Sequence, residues 1–298
     1  MANEIPIRQN DPELLRLLLV SWRLYGQAKL AMVVQVTLVV IVPLGLIVLE
    51  QLRPGSEAAI AALSVGIAIL DVLLLDRLRN ALQRRAASVQ ELFDSRLFCL
   101  AWPELRAKRP DNEDIEYLSR GAIPDRLRNW YSPAILPLAP AVAVVLCQRS
   151  NCRWDSQLRR YFRTSLLLMA SALLVGVAVV GVVRDVTFAD LVLSLLVPVT
   201  PVALWGIREA YRQDEAADRA ERLKDFGDDL WRQLISKAGP APGRAMDSRA
   251  FQDAILEHRQ RSPMVFDWFY LLLRGSFEKQ MHFSVEQMAQ EAIDAGLT

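Results

Sequence analysis

With 298 residues, 52% of them hydrophobic, and a mean hydropathy of +0.18, the chain is more apolar than soluble domains of its length. A net charge of +1 says nothing strong about nucleic acid, and no DNA or RNA partner is expected. Cys99, Cys147 and Cys152 have no zinc-like spacing to one another or to His258 and His282, which excludes a disulfide scaffold and a Cys/His zinc module and leaves ordinary thiols.

Residues 1–29 carry no basic n-region followed by a small-residue cleavage site, so the pattern is not that of a signal peptide. Asp11 and Pro12 predict a helix start, and Leu14, Leu18, Trp22 and Tyr25 then recur on one helical face. That helix either lies on the inner leaflet or docks on the rest of the protein.

Four apolar segments follow, at 30–49, 58–75, 165–183 and 188–207, all without Lys or Arg. Each approaches the roughly 20 helical residues that cross a bilayer core. Lipid demands that backbone groups be satisfied internally, so these segments are helices. All but Arg53 and Arg184 of the 35 Lys+Arg fall outside the two short connections at 50–57 and 184–190. Positive flanks stay in the cytoplasm. The expectation is therefore an all-α membrane protein of two transmembrane hairpins (30–75 and 165–207). An N-terminal helix (1–29), a helical insert (76–164) and a helical tail (208–298) would all be cytoplasmic.

Within the spans, Pro43, Pro198 and Pro201 free backbone carbonyls that need a polar neighbour. Asp71 is either an intramembrane functional carboxylate or an interfacial one paired with Arg77 or Arg79. These four are the candidate membrane and pore residues. Small residues recur every fourth position at Ala58, Ala62 and Gly66, and again at Ala172 and Gly176. Such faces serve close helix packing, within one chain or between copies.

The insert opens with Arg77, Arg79, Arg84 and Arg85, suited to fixing topology or to holding anionic headgroups. A turn-rich stretch follows, with a helix start at Asn112, and then the apolar segment 134–147. That segment spans only about 21 Å as a helix, so it is either buried in the cytoplasmic part or re-entrant. Next comes "CQRSNCRWDSQLRRYFR" (147–163), where a helix places Asn151, Asp155 and Arg159 on one face and Trp154, Leu158 and Tyr161 on another. Guanidinium forks suit phosphate oxygens and an indole suits a base. Arg149, Asn151, Trp154, Asp155 and Arg159 are thus the candidate ligand set. The competing reading is a juxtamembrane helix that fixes topology.

The tail begins as a charged helix continuing the fourth span, breaks at "GPAPG" (239–243), and resumes as two or three helices with a start at Pro263. No phosphate-binding loop, dinucleotide fingerprint, zinc-protease motif or nucleophile elbow occurs, so no enzyme, metal or cofactor is expected.

"IPIRQN" (5–10), "LYGQAK" (24–29), "ELFDSRLFCLAW" (91–102), "WYSP" (130–133), "CQRSNCRWDSQLRRYF" (147–162) and "SPMVFDWFYLLLR" (262–274) stand in this order around the spans. In them the chain resembles the SMODS-associated four-transmembrane pore-forming effectors of CBASS anti-phage signalling, from about residue 5 to 281. The resemblance implies a bacterial inner-membrane effector encoded near a nucleotidyltransferase and silent until a cyclic oligonucleotide binds its cytoplasmic part. It would then permeabilise the membrane. Four helices fill their own core, so permeabilisation requires a homo-oligomer. The alternative is a membrane-anchored sensor or scaffold that signals through its cytoplasmic helices without a pore.

Overall fold

The computed structural model describes residues 3–42, 45–46, 57–185, 187–236 and 244–298. Pro43 and the break at 239–243 lie outside them. The helices are α1 (Ile5–Arg8), α2 (Pro12–Val36), α3 (Glu57–Leu70), α4 (Asp76–Leu97), α5 (Asn112–Leu118), α6 (Pro140–Val183), α7 (Phe188–Asp190), α8 (Val197–Ile235), α9 (Arg244–Arg261) and α10 (Asp267–Asp294). Wide π-helical turns at Thr37–Ile41, Asp71–Leu75 and Leu191–Leu196 adjoin α2, link α3 to α4, and lead into α8. No strand occurs among the described residues. Among the described residues two helices, Pro12–Ile41 and Pro140–Val183, meet the length and apolarity needed to cross a membrane. The second and fourth apolar segments are helical as well.

The chain forms two compact units, one of Met1–Gln27, Leu82–Leu158 and Ala216–Thr298, the other of Ala28–Ala81 and Arg159–Glu215. In the first unit, Leu14, Leu15, Leu17, Leu18, Leu19 and Leu24 are buried, so this part of α2 is docked on a core rather than free for a leaflet. Trp22, expected on the buried face, is 39% exposed, and the Arg126 guanidinium lies 4.3 Å from the centre of its ring. Val142 through Cys147 are buried in the same core, which seats most of the apolar 134–147 segment inside the protein.

Several ends are tied by side chains. Helix α4 ends with Cys99 in the left-handed region (φ 56°), where Leu100 N donates to Ser95 O, and Arg8 Nη2 donates to Arg96 O. The last helix starts at Asp267 rather than at Pro263. Met264 and Val265 are buried within the extended 263–266 segment, which delays the first helical turn. Gly227 permits the closest approach of α8 to α6. A Cβ there would stand 2.9 Å from Arg149 Cβ and 3.1 Å from Phe251 Cζ.

In the second unit, Ala170, Ala203 and Gly206 bring α6 and α8 together. The small-residue face expected to do this, Ala172 and Gly176, is exposed, and a Cβ on Gly176 or on Gly66 would meet nothing within 4 Å. Large apolar side chains of this unit are exposed in number, among them Leu63, Ile69, Leu73, Met169, Val175 and Val182. Surfaces of that kind are suited to hydrocarbon, not water. The chain is a helical membrane protein.

Candidate functional site

The quoted sequence stretches, far apart along the chain, meet in the first unit. Gln9 Nε2 donates to Tyr131 O at 3.1 Å, and Tyr131 N donates back to Gln9 Oε1 at 2.6 Å. Tyr131 Oη donates to Asp94 Oδ1 at 3.1 Å and accepts from Asn151 Nδ2 at 3.0 Å. Asp94, 1% exposed, also accepts from Arg259 Nη1 at 2.6 Å and Gln252 Nε2 at 3.0 Å. Glu91, wholly buried, accepts from Arg249 Nη2 at 2.6 Å and Gln252 Nε2 at 2.9 Å. Gln148 Nε2 donates to Gln252 Oε1 at 3.0 Å. Two carboxylates thus face two guanidiniums with amides filling the remaining valences, the condition under which buried charge is tolerated.

The residues of the predicted ligand set make contacts of their own. Arg149 Nε donates to Asp228 Oδ1 at 2.7 Å. Burial works against the Asp228 carboxylate, but Arg149 and Lys224 together hold its pKa below the usual 3.8. Asn151 serves Tyr131. Trp154 packs edge-on to Phe277, with ring centres 5.6 Å apart, and tilted against Tyr270. His258 Nε2 is hydrogen-bonded to Asp155 Oδ2 at 2.6 Å, and its Nδ1 lies 3.1 Å from Ser262 Oγ. Arg159, in the second unit, donates to Gln213 Oε1 at 2.9 Å. Each of the five has an intramolecular partner. Sequence spacing paired neither histidine. The Asp155–His258–Ser262 line became visible only when α9 met α6, and Ser262 is 2% exposed, closed to a substrate.

Among the membrane candidates, Asp71 begins a π-helical turn and its Oδ1 is buried without a hydrogen-bond partner among the described residues. Arg79, one of its two expected partners, instead pairs with Asp76 and donates to Gln35 Oε1 at 2.6 Å. Pro201 lies inside α8, whose length accommodates it, and Pro198 lies in the first turn of the same helix.

A sizeable cavity of the first unit lies elsewhere. It holds about 870 Å³ between α4, α5 and the strap 106–111. Val20, Leu24, Val89 and Ile115 give it an apolar floor. Its rim carries six basic side chains, Arg84, Arg85, Arg106, Lys108, Arg109 and Arg261, against the carboxylates of Asp111 and Asp114. Arg106 Nε anchors the strap to Asp253 Oδ2 at 3.1 Å, Arg249 Nη1 donates to Ala101 O at 2.9 Å, and Arg23 Nη1 donates to Arg120 O at 2.7 Å beyond α5.

The family profile of the SMODS-associating 4TM effector domain matches residues 3–288. The chain belongs to this effector family. It is 25% identical over 286 residues to a probable CBASS effector molecule of Bacillus cereus (strain VD146), covering 92% of this chain and 94% of that one. No solved structure matches. In this family member, several of the stretches that carried the resemblance supply the hydrogen bonds of the first unit.

Glu91 gives that unit a pH signature. Burial first, then the neighbouring Asp94, raises its pKa above the usual 4.5. A carboxyl raised in the folded state takes up its proton before the unfolded chain does, so stability rises as pH falls from the raised value toward 4.5. In detergent micelles, the stability of the native protein relative to Glu91→Gln should therefore grow as pH is lowered through that window. A difference that stays constant or shrinks counts against it.

Proposed function

We propose that this protein is a CBASS effector of anti-phage defence that permeabilises the bacterial inner membrane as a homo-oligomer when a cyclic oligonucleotide binds its cytoplasmic part. It crosses the bilayer four times, with both termini and the 76–164 insert in the cytoplasm, and works beside a nucleotidyltransferase that makes the ligand. The observation that carries the reading is the second unit's surface: exposed apolar side chains surround small-residue faces at Gly66 and Gly176 that no part of the described chain occupies. A face of that kind supports close approach of a second copy in lipid. The charge asymmetry supports the orientation, and the relative's description supports the pathway.

A ligand opens such an assembly only by binding the open state more tightly than the closed one. The test is purified protein in dye-loaded liposomes with a panel of cyclic di- and trinucleotides. One member should release dye at concentrations where it binds. Binding without release by any member would favour the anchored sensor or scaffold.

A further inference from the structure

We propose that the basic cleft between α4, α5 and the strap 106–111 is the binding site for the cyclic oligonucleotide, with Arg84 and Arg109 taking its phosphodiesters. The inference rests on the function proposed above and assigns it a place. The cavity's volume of about 870 Å³ falls within the roughly 300–1,000 Å³ of small-molecule sites. Its walls divide as a nucleotide does: an apolar floor of Val20, Leu24 and Ile115 for a base, a cationic rim for phosphates. A cyclic mononucleotide brings one phosphodiester, whereas a cyclic oligonucleotide brings two or more on one ring, matched to a rim with several guanidiniums.

The rim cations differ in how committed they are. Arg84 and Arg109 are exposed and have no ion-pair partner among the described residues. Arg85 is bound to Asp114 Oδ2 at 2.8 Å and Lys108 to Asp111 Oδ2 at 3.2 Å, all four side chains being at least half exposed. Exposed pairs of this sort contribute little, so a phosphate oxygen can replace either carboxylate at small cost. Arginine offers phosphate a two-pronged, charge-assisted contact that such a carboxylate exchange would extend.

The position also has a consequence for coupling. Arg84 and Arg85 stand on α4, which follows Asp71–Leu75 and α3 with no break in the helix from residue 57 to 97. A ligand that draws the strap onto α4 therefore acts on the helix of the second apolar segment itself. Neither Arg84 nor Arg109 belongs to the buried network, so both can be changed without loosening the unit.

Phosphodiesters are also found in anionic lipid headgroups, and the experiment separates the two sources. The full chain is reconstituted in phosphatidylcholine vesicles, with and without phosphatidylglycerol. Binding and dye release are measured with 3′,5′-linked cyclic di- and triadenylate and cyclic diguanylate. The double variant Arg84→Gln/Arg109→Gln should bind at least about tenfold more weakly with unchanged melting, while the distant Arg232→Gln binds as the native chain does. Phosphatidylglycerol should not displace the nucleotide; displacement would give the cleft to lipid and overturn the assignment. If the native chain binds and leaks and the double variant does so equally, the cleft assignment fails and the effector reading stands. If the native chain binds no member of the panel and releases no dye, both fail together.

Discussion

Asp94→Ala lowers the stability of the first unit by about 3–5 kcal/mol, the cost of leaving a buried charge without its partner. Asp94 is 1% exposed and accepts from Arg259, Gln252 and Tyr131. Burial opposes the charge on Arg259, and Asp94 is the main group that offsets it. Without the carboxylate, that guanidinium faces Tyr131 and the apolar core, and three donors lose an acceptor at once. The loss approaches the roughly 5–15 kcal/mol that holds an ordinary domain folded, so expression should fall along with thermal stability. Asp94→Asn, which keeps the shape and one acceptor, should lose less. The double variant Asp94→Ala/Arg259→Met should be more stable than the sum of the two single changes predicts. A loss below about 1 kcal/mol for Asp94→Ala, measured by denaturation in micelles, would mean the network is not what holds the unit.

Helices were legible because their signals are local. Asp11 and Pro12 mark the start of α2, and Asn112 lies at the first position of α5. The apolar segments have the period and length of lipid-facing helices. The buried network was not legible, because its pairs join residues more than 150 positions apart: Glu91 with Arg249, Asp94 with Arg259. On their own helices these are ordinary charges, and nothing in a 3.6-residue period says which charge will be covered. The cleft was hidden for the same reason. Arg84 and Arg85 read as topology-fixing residues, and the strap from 106 to 111 reads as a turn-rich connection; only the fold puts one against the other. The stretch at 147–163 admits two readings from its sequence. Its mixture of Arg, Asn, Trp and Asp suits a ligand surface, but a helix central to a polar core needs the same mixture on several faces.

The change with the largest expected effect on activity lies in the membrane. Gly176→Leu should abolish most dye release, by about tenfold or more, matching the loss of roughly 1–2 kcal/mol of helix association in lipid. Among the described residues nothing lies within 4 Å of a Cβ added at Gly176, and leucine favours a helix more than glycine does. Melting temperature and nucleotide affinity should therefore stay at native values while cross-linked oligomers disappear. Gly206→Leu is the contrasting change, because its Cβ falls 3.8 Å from Ala170 Cβ on the neighbouring helix of the same chain. The larger side chain must force α6 and α8 apart, so that variant should lose melting temperature first and release second. Should Gly176→Leu leak as fast as the native protein while remaining folded, this face does not mediate assembly, and the oligomer must form through another surface.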